Sequence, residues 1–350
     1  MNVGAHLAVA CFALALAGCS ATDDSSPDPI EPPVPAELRR AIDEAVSAGF
    51  SGAILVTQKG EHLTTEAHGL AHRETNTPNT PDTAFDVGSI LKTFTATAIF
   101  RLIEDGRLGL DTTLGQIFPG VPADKSEITV LEVLQHRAGF DEYHDTTGDF
   151  EPMTRLEARE RILDQELLFE PGTDEAYSNS GYTLLADLIE TLAREPYTDL
   201  VRHELFEPAK MKASGFYSEP LWQAVDTAIG YEAETFGDND PATWPYSWAL
   251  VGNGGLVTTV GDLERFIEAL FAGEIVAAGT LDRMREHLAG ADVDGEPVYA
   301  EAGAGDYGLG GIAVYAPEQK TRVIVATNTY DVFDIESFAA ELALSLLADE

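Results

Sequence analysis

The chain has 350 residues, and its 60 acidic and 21 basic residues give a formal net charge of −39 at pH 7. A chain of this length can bury one large core or two lobes that share a cleft. So negative a charge repels phosphate backbones and anionic membrane surfaces at long range, which excludes a nucleic-acid-binding protein. The acidic residues are spread along the sequence, which indicates a solvated acidic surface.

The N-terminal segment predicts export. Residues 7–17 form an apolar run that is too short to span a bilayer and has the length of a signal-peptide core. The run ends at Leu16-Ala17-Gly18-Cys19, which resembles the lipobox of bacterial lipoproteins. This resemblance implies removal of residues 1–18, lipidation of Cys19, and a membrane-anchored lipoprotein of the bacterial cell envelope. No Lys or Arg precedes the run, so a plain secretory signal is the alternative.

Residues 19–36 are polar and rich in proline, which predicts a disordered tether. The folded domain is then expected at residues 37–350. Both cysteines lie within the first 19 residues, so no disulfide is available to the domain. Its stability must therefore come from its core.

Hydrophobic periodicity predicts strands near both chain ends and helices between them. The predicted strands are 52–57, 62–67, 307–315 and 322–326, and the predicted helices include 37–49, one starting at Thr129, 156–168, 182–193, 261–272 and 335–347. The expected fold class is α+β, with an antiparallel sheet built from both chain ends and flanked by helices. A mainly helical lobe is expected as an insertion at residues 108–273, with a cleft between lobe and sheet.

Residues 85–96 contain Ser89 and Lys92, which are three positions apart and share one face of a helix. A serine hydroxyl needs a base within hydrogen-bond reach before it can attack a carbonyl. A lysine can be that base if burial or a nearby positive charge lowers its pKa from about 10.4. The apolar residues that follow indicate a helix buried on all sides. Taken alone, the pair is weak evidence, because a surface lysine one turn from a serine is the more common explanation of this spacing.

A second candidate cluster is Tyr177-Ser178-Asn179, in a turn before a predicted helix. A phenol near a lysine ammonium has a lowered pKa, so Tyr177 could carry the Ser89 proton. Asn179 offers a donor and an acceptor to a substrate amide. Without further context, this tripeptide is typical of an ordinary turn.

Together, Ser89-Ile90-Leu91-Lys92 and Tyr177-Ser178-Asn179 resemble the active-site pattern of the serine β-lactamase-related superfamily. Its members include class C β-lactamases, D-alanyl-D-alanine carboxypeptidases and esterases. Flanking segments also resemble the sequence pattern of this family. They are residues 69–71, 80–85, 104–111, 134–140, 206–208, 254–259 and 325–328. The resemblance extends over residues 50–330 and implies a β-lactamase/transpeptidase-like fold.

The resemblance implies a serine hydrolase that acts on an ester or amide through an acyl-enzyme. Ser89 would be the nucleophile, Lys92 and Tyr177 would move its proton, and Asn179 would bind substrate. The Ser89 backbone N–H, at a helix N-terminus, would be one oxyanion donor. The implied partner is a small-molecule or peptidoglycan-like acyl substrate.

No metal or other cofactor is implied, and no two histidines have metal-ligand spacing on a helix. His136 could be mistaken for the histidine of a catalytic triad. It lies in a Leu-x-His-x-x-Gly pattern, Leu134 to Gly139, that looks structural in this family, so we expect a packing role for it.

One part of the family pattern is missing. Members carry His-x-Gly or Lys-Thr-Gly on a strand near the C-terminus, whereas here the last histidine is His287 and the only later lysine, Lys320, lies in a predicted turn. The interpretation is that a strand has been lost. Gly310 or Gly311 would then supply the second oxyanion donor, if residues 307–315 run beside Ser89.

The missing motif leaves no cation for a substrate carboxylate, so we expect β-lactams and D-Ala-D-Ala peptides to be poorer substrates than simple esters. Loss of one oxyanion donor lowers the rate roughly a hundred- to a thousandfold. The alternative hypothesis is a catalytically inactive family member that serves as an envelope binding or scaffold protein. The sequence makes no prediction of oligomeric state.

Overall fold

A computed structural model describes residues 34–348 except 144–149, 218, 220–224, 232–239, 287–289, 294 and 305–306. The predicted signal peptide, Cys19 and the tether up to residue 33 lie outside the described residues. Within the described part, no helix is both long enough and apolar enough to cross a bilayer.

Strands from both ends of the described chain build the main sheet. In chain order the strands are β1 (Gly52–Gln58), β2 (Glu61–His68), β3 (Leu70–His72), β4 (Thr77–Pro78), β5 (Phe85–Asp86), β6 (Gly215–Phe216), β7 (Leu256–Thr258), β8 (Gly290–Val293), β9 (Glu296–Ala304), β10 (Gly310–Ala316) and β11 (Thr321–Thr327). Six of them form an antiparallel sheet in the order β2-β1-β11-β10-β9-β8. The pairing of β1 with β11 confirms that the two ends share one sheet.

Helices cover the sheet and fill the segment between its two halves. They are α1 (Ala36–Ser47), α2 (Leu91–Glu104), α3 (Leu114–Ile117), α4 (Val130–Leu134), α5 (Arg155–Asp164), α6 (Asn179–Ala193), α7 (Tyr197–Val201), α8 (Val260–Phe271), α9 (Ala278–Arg285) and α10 (Ile335–Ala348). A small sheet in the order β5-β7-β6 lies among them. The predicted α+β class with a mainly helical insertion is therefore confirmed.

The two faces of the sheet carry separate apolar cores because side chains alternate along each strand. On β11, Val323 and Val325 pack with α1 and α10, whereas Ile324 and Ala326 join the large core that contains α2 and α8. The large core places α2 between the sheet and the helical lobe. This is where the predicted nucleophile begins its helix.

The expectation of a lost strand is wrong. Strands β8 and β9 pair antiparallel, and β9 also pairs with β10, with Gly303 opposite Gly311. The segment was missed because Glu296–Ala304 reads Glu-Pro-Val-Tyr-Ala-Glu-Ala-Gly-Ala, and Pro, Glu, Ala and Gly are depleted in strands. Its pairing with the two neighbouring strands, β8 and β10, holds it as a strand despite that composition.

Candidate active site

Ser89 lies in a 3₁₀ turn, Gly88–Ile90, that leads directly into α2. Gly88 has a φ of +50°, and a Cβ there would lie 2.7 Å from the backbone nitrogen of Ala304. Glycine is therefore required by both the left-handed conformation and the contact with β9. The serine is fixed where the small sheet, α2 and β9 meet.

A buried carboxylate holds the turn before the serine. Asp86 is 2% exposed, and its Oδ1 accepts a hydrogen bond from the Gly88 N–H at 2.8 Å. Its Oδ2 accepts a hydrogen bond from the Tyr217 hydroxyl. Sequence reasoning missed both residues, because nothing local in sequence brings Tyr217 to Asp86.

Lys92 contacts the serine from one turn further along α2. Its Nζ donates to Ser89 Oγ at 2.8 Å and to the Asn253 carbonyl at 2.9 Å, and the residue is only 5% exposed. The side-chain amide of Asn253 donates to Thr183 at 2.8 Å, which anchors that carbonyl. Asn253 was also missed, because a backbone carbonyl acceptor leaves no signal in the residue type.

Tyr177 contacts the serine from the other side. Its hydroxyl lies 2.5 Å from Ser89 Oγ, and its ring centroid lies 4.7 Å from Lys92 Nζ. The structure therefore brings together Ser89, Lys92 and Tyr177, the three residues predicted to carry the chemistry. Tyr177 is 56% exposed, so the trio faces solvent on the tyrosine side.

His136 supports Tyr177 from behind. The two rings stack with centroids 4.8 Å apart, and His136 Nδ1 accepts a hydrogen bond from the Ser178 N–H at 3.1 Å. Burial, together with the charge of Lys92, lowers the pKa of His136 to about 4, so the ring is neutral at pH 7. His136 Nδ1 is thus occupied, and Ser89 Oγ contacts Lys92 and Tyr177, so the geometry of His136 is that of a packing residue.

His136 also ends α4. Its φ of +56° is left-handed, and the Arg137 N–H donates to the Glu132 carbonyl at 2.8 Å, as in a Schellman cap. The predicted start at Thr129 is confirmed by a capping box with Glu132, and the helix stops at Leu134. The cap directs the chain so that the histidine reaches the Tyr177 loop.

Asn179 begins α6, and its backbone N–H donates to Glu142 Oε1 at 3.2 Å. It is not among the residues that line the cleft beside Ser89. Its role in substrate binding stays a prediction.

The strand beside Ser89 is β9 and not β10. A Cβ on Gly303 would lie 2.3 Å from Ser89 N and 2.2 Å from the Val87 carbonyl oxygen, so only glycine fits there. Gly311 lies opposite Gly303 on the next strand, where a Cβ would meet the Val87 side chain at 2.9 Å, and one on Gly310 would meet the Tyr330 ring at 2.5 Å. Gly310 and Gly311 are thus wrong as candidate oxyanion donors, because β9 lies between them and the serine.

Glu301 lies on β9 two residues before Gly303. Its carboxylate is partly buried and hydrogen-bonds to Thr93, in the helix of the nucleophile. Burial raises the pKa of Glu301 to about 7, although the Thr93 hydrogen bond and the charge of Lys92 oppose this rise. Glu301-Ala302-Gly303 has the spacing of His-x-Gly, but a carboxyl group stands where that motif has a cation.

A cleft of about 560 Å³ opens beside these residues. Its lining includes Ser89, Lys92, Tyr177 and Glu301. A cleft of this size accepts a small molecule or a short segment of peptide. The arrangement is that of a serine activated by two neighbouring groups at the wall of a substrate-sized cleft.

Comparison with known proteins agrees with this geometry. The family model described as Beta-lactamase matches residues 38–346. Penicillin-binding protein 4* of Bacillus subtilis (strain 168) is 27% identical over 79% of this chain and 62% of that protein. A D-aminopeptidase of Brucella anthropi is 28% identical over 63% of this chain and 43% of that protein. The chain thus spans about half the length of these curated relatives.

Solved structures show the same fold. The octameric penicillin-binding protein homologue from Pyrococcus abyssi superposes with a TM-score of 0.76 at 24% identity, covering 88% of this chain and 76% of that one. The D-amino acid amidase from Ochrobactrum anthropi gives 0.77 at 22% identity, covering 90% and 99%. With the family model matched over nearly the whole described region, the chain belongs to the beta-lactamase family.

Proposed function

We propose that this chain is a serine hydrolase that cleaves a small ester or amide through an acyl-enzyme on Ser89. The observation that carries the proposal is the pair of contacts at Ser89 Oγ, 2.8 Å from Lys92 Nζ and 2.5 Å from the Tyr177 hydroxyl. A hydroxyl held between an amine and a phenol can pass its proton as it attacks.

In the first step, Ser89 Oγ bonds to the substrate carbonyl carbon and its proton passes to the Lys92–Tyr177 pair. That proton then moves to the leaving alcohol or amine as the acyl bond to it breaks. In the second step, water attacks the acyl-serine, gives up a proton to the same pair, and releases the acid. Ser89 Oγ recovers its proton, so the enzyme returns unchanged.

The oxyanion of both steps needs two donors. One is the Ser89 N–H at the start of α2, where the helix dipole adds to the attraction. For the other we propose the backbone N–H of Ala304, since β9 packs against the Gly88–Ser89 turn at this point. In this proposal, Ala304 takes the role that was predicted from the sequence for Gly310 or Gly311.

The relatives support a small acyl substrate, since their names describe penicillin-binding proteins and a D-aminopeptidase. We propose peptidoglycan-like or other small esters and amides as the substrate class. We further propose that the protein is exported and anchored through a lipid on Cys19. Intact mass of membrane-extracted protein, with or without acyl chains at Cys19, tests the anchor.

The test of the activity is acylation. A fluorophosphonate probe should add one mass equivalent to the protein, on the peptide that contains Ser89. The Ser89→Ala variant is the control and should take up none. Failure of the wild-type protein to react, with its fold verified by circular dichroism, would contradict the proposal and favour an inactive binding or scaffold protein.

A further inference from the structure

The side chains that line the cleft carry charges of both signs. Three carboxylates, Glu175, Glu286 and Glu301, line it together with Lys92 and Arg137. Both cations are engaged within the protein, Lys92 with Ser89 Oγ and the Asn253 carbonyl, and Arg137 with the Gly172 carbonyl. When Glu301 is ionised, three carboxylates stand against two cations, so the formal charge of the lining is negative.

Of the three carboxylates, Glu301 is held next to the reacting atoms. Side chains two apart on a strand share a face, so Glu301 projects on the same side of β9 as Gly303, which contacts Ser89 N. The separation along the strand is about 7 Å. A group on a substrate whose carbonyl sits at Ser89 would therefore meet Glu301 within a few bonds of the scissile carbon.

Glu301 retains capacity to bind a donor. A carboxylate has about four acceptor sites, and the Thr93 hydroxyl occupies one of them. The Thr93 bond also fixes the orientation of the carboxylate, so little side-chain freedom is left to lose when a ligand binds. Glu175 and Glu286, by contrast, are exposed.

We propose that Glu301 determines specificity, and that the cleft takes acyl substrates carrying a cationic group, an ammonium or guanidinium, close to the scissile carbonyl. A substrate carboxylate at that position is repelled. This inference rests on the proposed function and names its substrate class.

The experiment uses three p-nitrophenyl esters of matched size: 4-(trimethylammonio)butanoate, its uncharged tert-butyl isostere, and hydrogen glutarate. The wild-type protein should show kcat/KM in the order cation, isostere, carboxylate. Glu301→Gln should lower the cation-to-isostere ratio roughly tenfold or more, since a charge pair near a partly buried wall is only partly screened. Glu301→Lys should reverse the order.

The matched control is Glu296→Gln, the same charge change on the same strand but outside the cleft. Its cation-to-isostere ratio of kcat/KM should stay within roughly twofold of the wild-type ratio, because a distant charge is screened. An unchanged ratio in Glu301→Gln overturns the inference. An equal fall in kcat/KM for all three esters also overturns it, because that result would mean that Glu301 supports catalysis or folding and not specificity.

Binding to the Ser89→Ala variant separates this inference from the proposed function. That variant cannot be acylated, and calorimetry should still find tighter binding of the cationic ester than of its isostere. Adding Glu301→Gln should remove the difference. Turnover without this preference overturns the inference alone, whereas preference without turnover or probe labelling overturns only the proposed hydrolase.

Discussion

The chemistry at Ser89 depends on which groups around it can hold a proton at neutral pH. His136, the nearest imidazole to Tyr177, is held neutral because burial and Lys92 lower its pKa to about 4. It stacks on Tyr177 and accepts a hydrogen bond from the Ser178 N–H, so in the proposed mechanism it orients the phenol and proton transfer falls to Lys92 and Tyr177. The role of the Tyr177 hydroxyl in proton transfer can therefore be tested by removing that hydroxyl alone.

Tyr177→Phe should reduce kcat for a simple ester by roughly a hundredfold or more, the usual contribution of a positioned acid or base. The ring and its stacking on His136 are kept, so the melting temperature should change little. Steady-state kinetics and a thermal melt measure the two effects. Activity within tenfold of the wild type, with the fold intact, would contradict the assigned role of the hydroxyl.

The cation preference should depend on pH through Glu301. Its carboxyl has a pKa raised to about 7, so it is charged above that pH and neutral below it. The cation-to-isostere ratio should therefore be high at pH 8 and fall as the pH drops through 7, and Glu301→Gln should abolish this change. A ratio constant over this range in the wild-type protein would exclude Glu301 as the titrating group.

Other ionisable groups face Glu301 and must be considered in that profile. The charge of Lys92 on α2 opposes the rise in the pKa of Glu301, and burial, with a smaller contribution from Glu301, raises the pKa of Tyr182 on α6 and of Tyr315 on β10. The remaining charged or titratable groups of the cleft are His136, Arg137, Glu175, Tyr177 and Glu286. His136 is neutral well above its pKa of about 4, and the two tyrosines with raised pKa stay neutral near pH 7.

At the scale of elements, the site is a junction between α2 and β9. The Ser89–Lys92 spacing is a local helical property, and it was predictable because three residues make nearly one turn. Tyr177 was a candidate from the chemistry of its phenol, but only the family pattern distinguished it from a residue of an ordinary turn. β9 was not predictable, because its composition disfavours a strand. Asp86 and Asn253 were not predictable, because they act through contacts far away in sequence.

The close approach of β9 gives a sharp prediction. In Gly303→Ala, the new Cβ would meet backbone atoms of Val87, Ser89 and Ile90 at 2.2–2.7 Å, and backbone cannot turn aside as a side chain can. Overpacking of this kind costs roughly 1–3 kcal/mol of stability. Esterase activity should also fall, because the oxyanion donors separate.

Gly279→Ala on α9 is the matched control. A Cβ there meets nothing within 4 Å and the backbone φ is not left-handed, so its free energy of unfolding should be unchanged or slightly higher. Urea denaturation of both variants measures the difference. A Gly303→Ala protein as stable and active as Gly279→Ala would mean that β9 does not lie against Ser89.

At the scale of the whole molecule, the described fold is organised around the six-stranded sheet with an apolar core on each face, and we expect the acidic residues to form a solvated surface around it. The formal net charge of −39 makes the compact state repel itself. Surface pairs such as Arg40 with Glu44 add little stability and are themselves weakened by salt. Repulsion should therefore dominate the response to ionic strength.

We expect the melting temperature to rise as sodium chloride is increased from 0.1 M to 1 M. Over this range the screening length falls from about 10 Å to about 3 Å, so the long-range repulsion is largely removed. Sodium chloride is a better salt than sulfate for this measurement, because sulfate also strengthens apolar burial and would raise the melting temperature for that reason. A melting temperature that is unchanged or lower at 1 M would contradict this account of the surface.

The central claim is that Ser89, Lys92 and Tyr177 form one nucleophilic unit that carries an acyl group. Its most direct measurement is intact mass after rapid acid quench during turnover of a simple p-nitrophenyl ester, followed by peptide mapping. The account predicts a mass increase equal to the acyl group, located at Ser89 and absent from Ser89→Ala. Hydrolysis that persists in Ser89→Ala, or an acyl group on another residue, would contradict it.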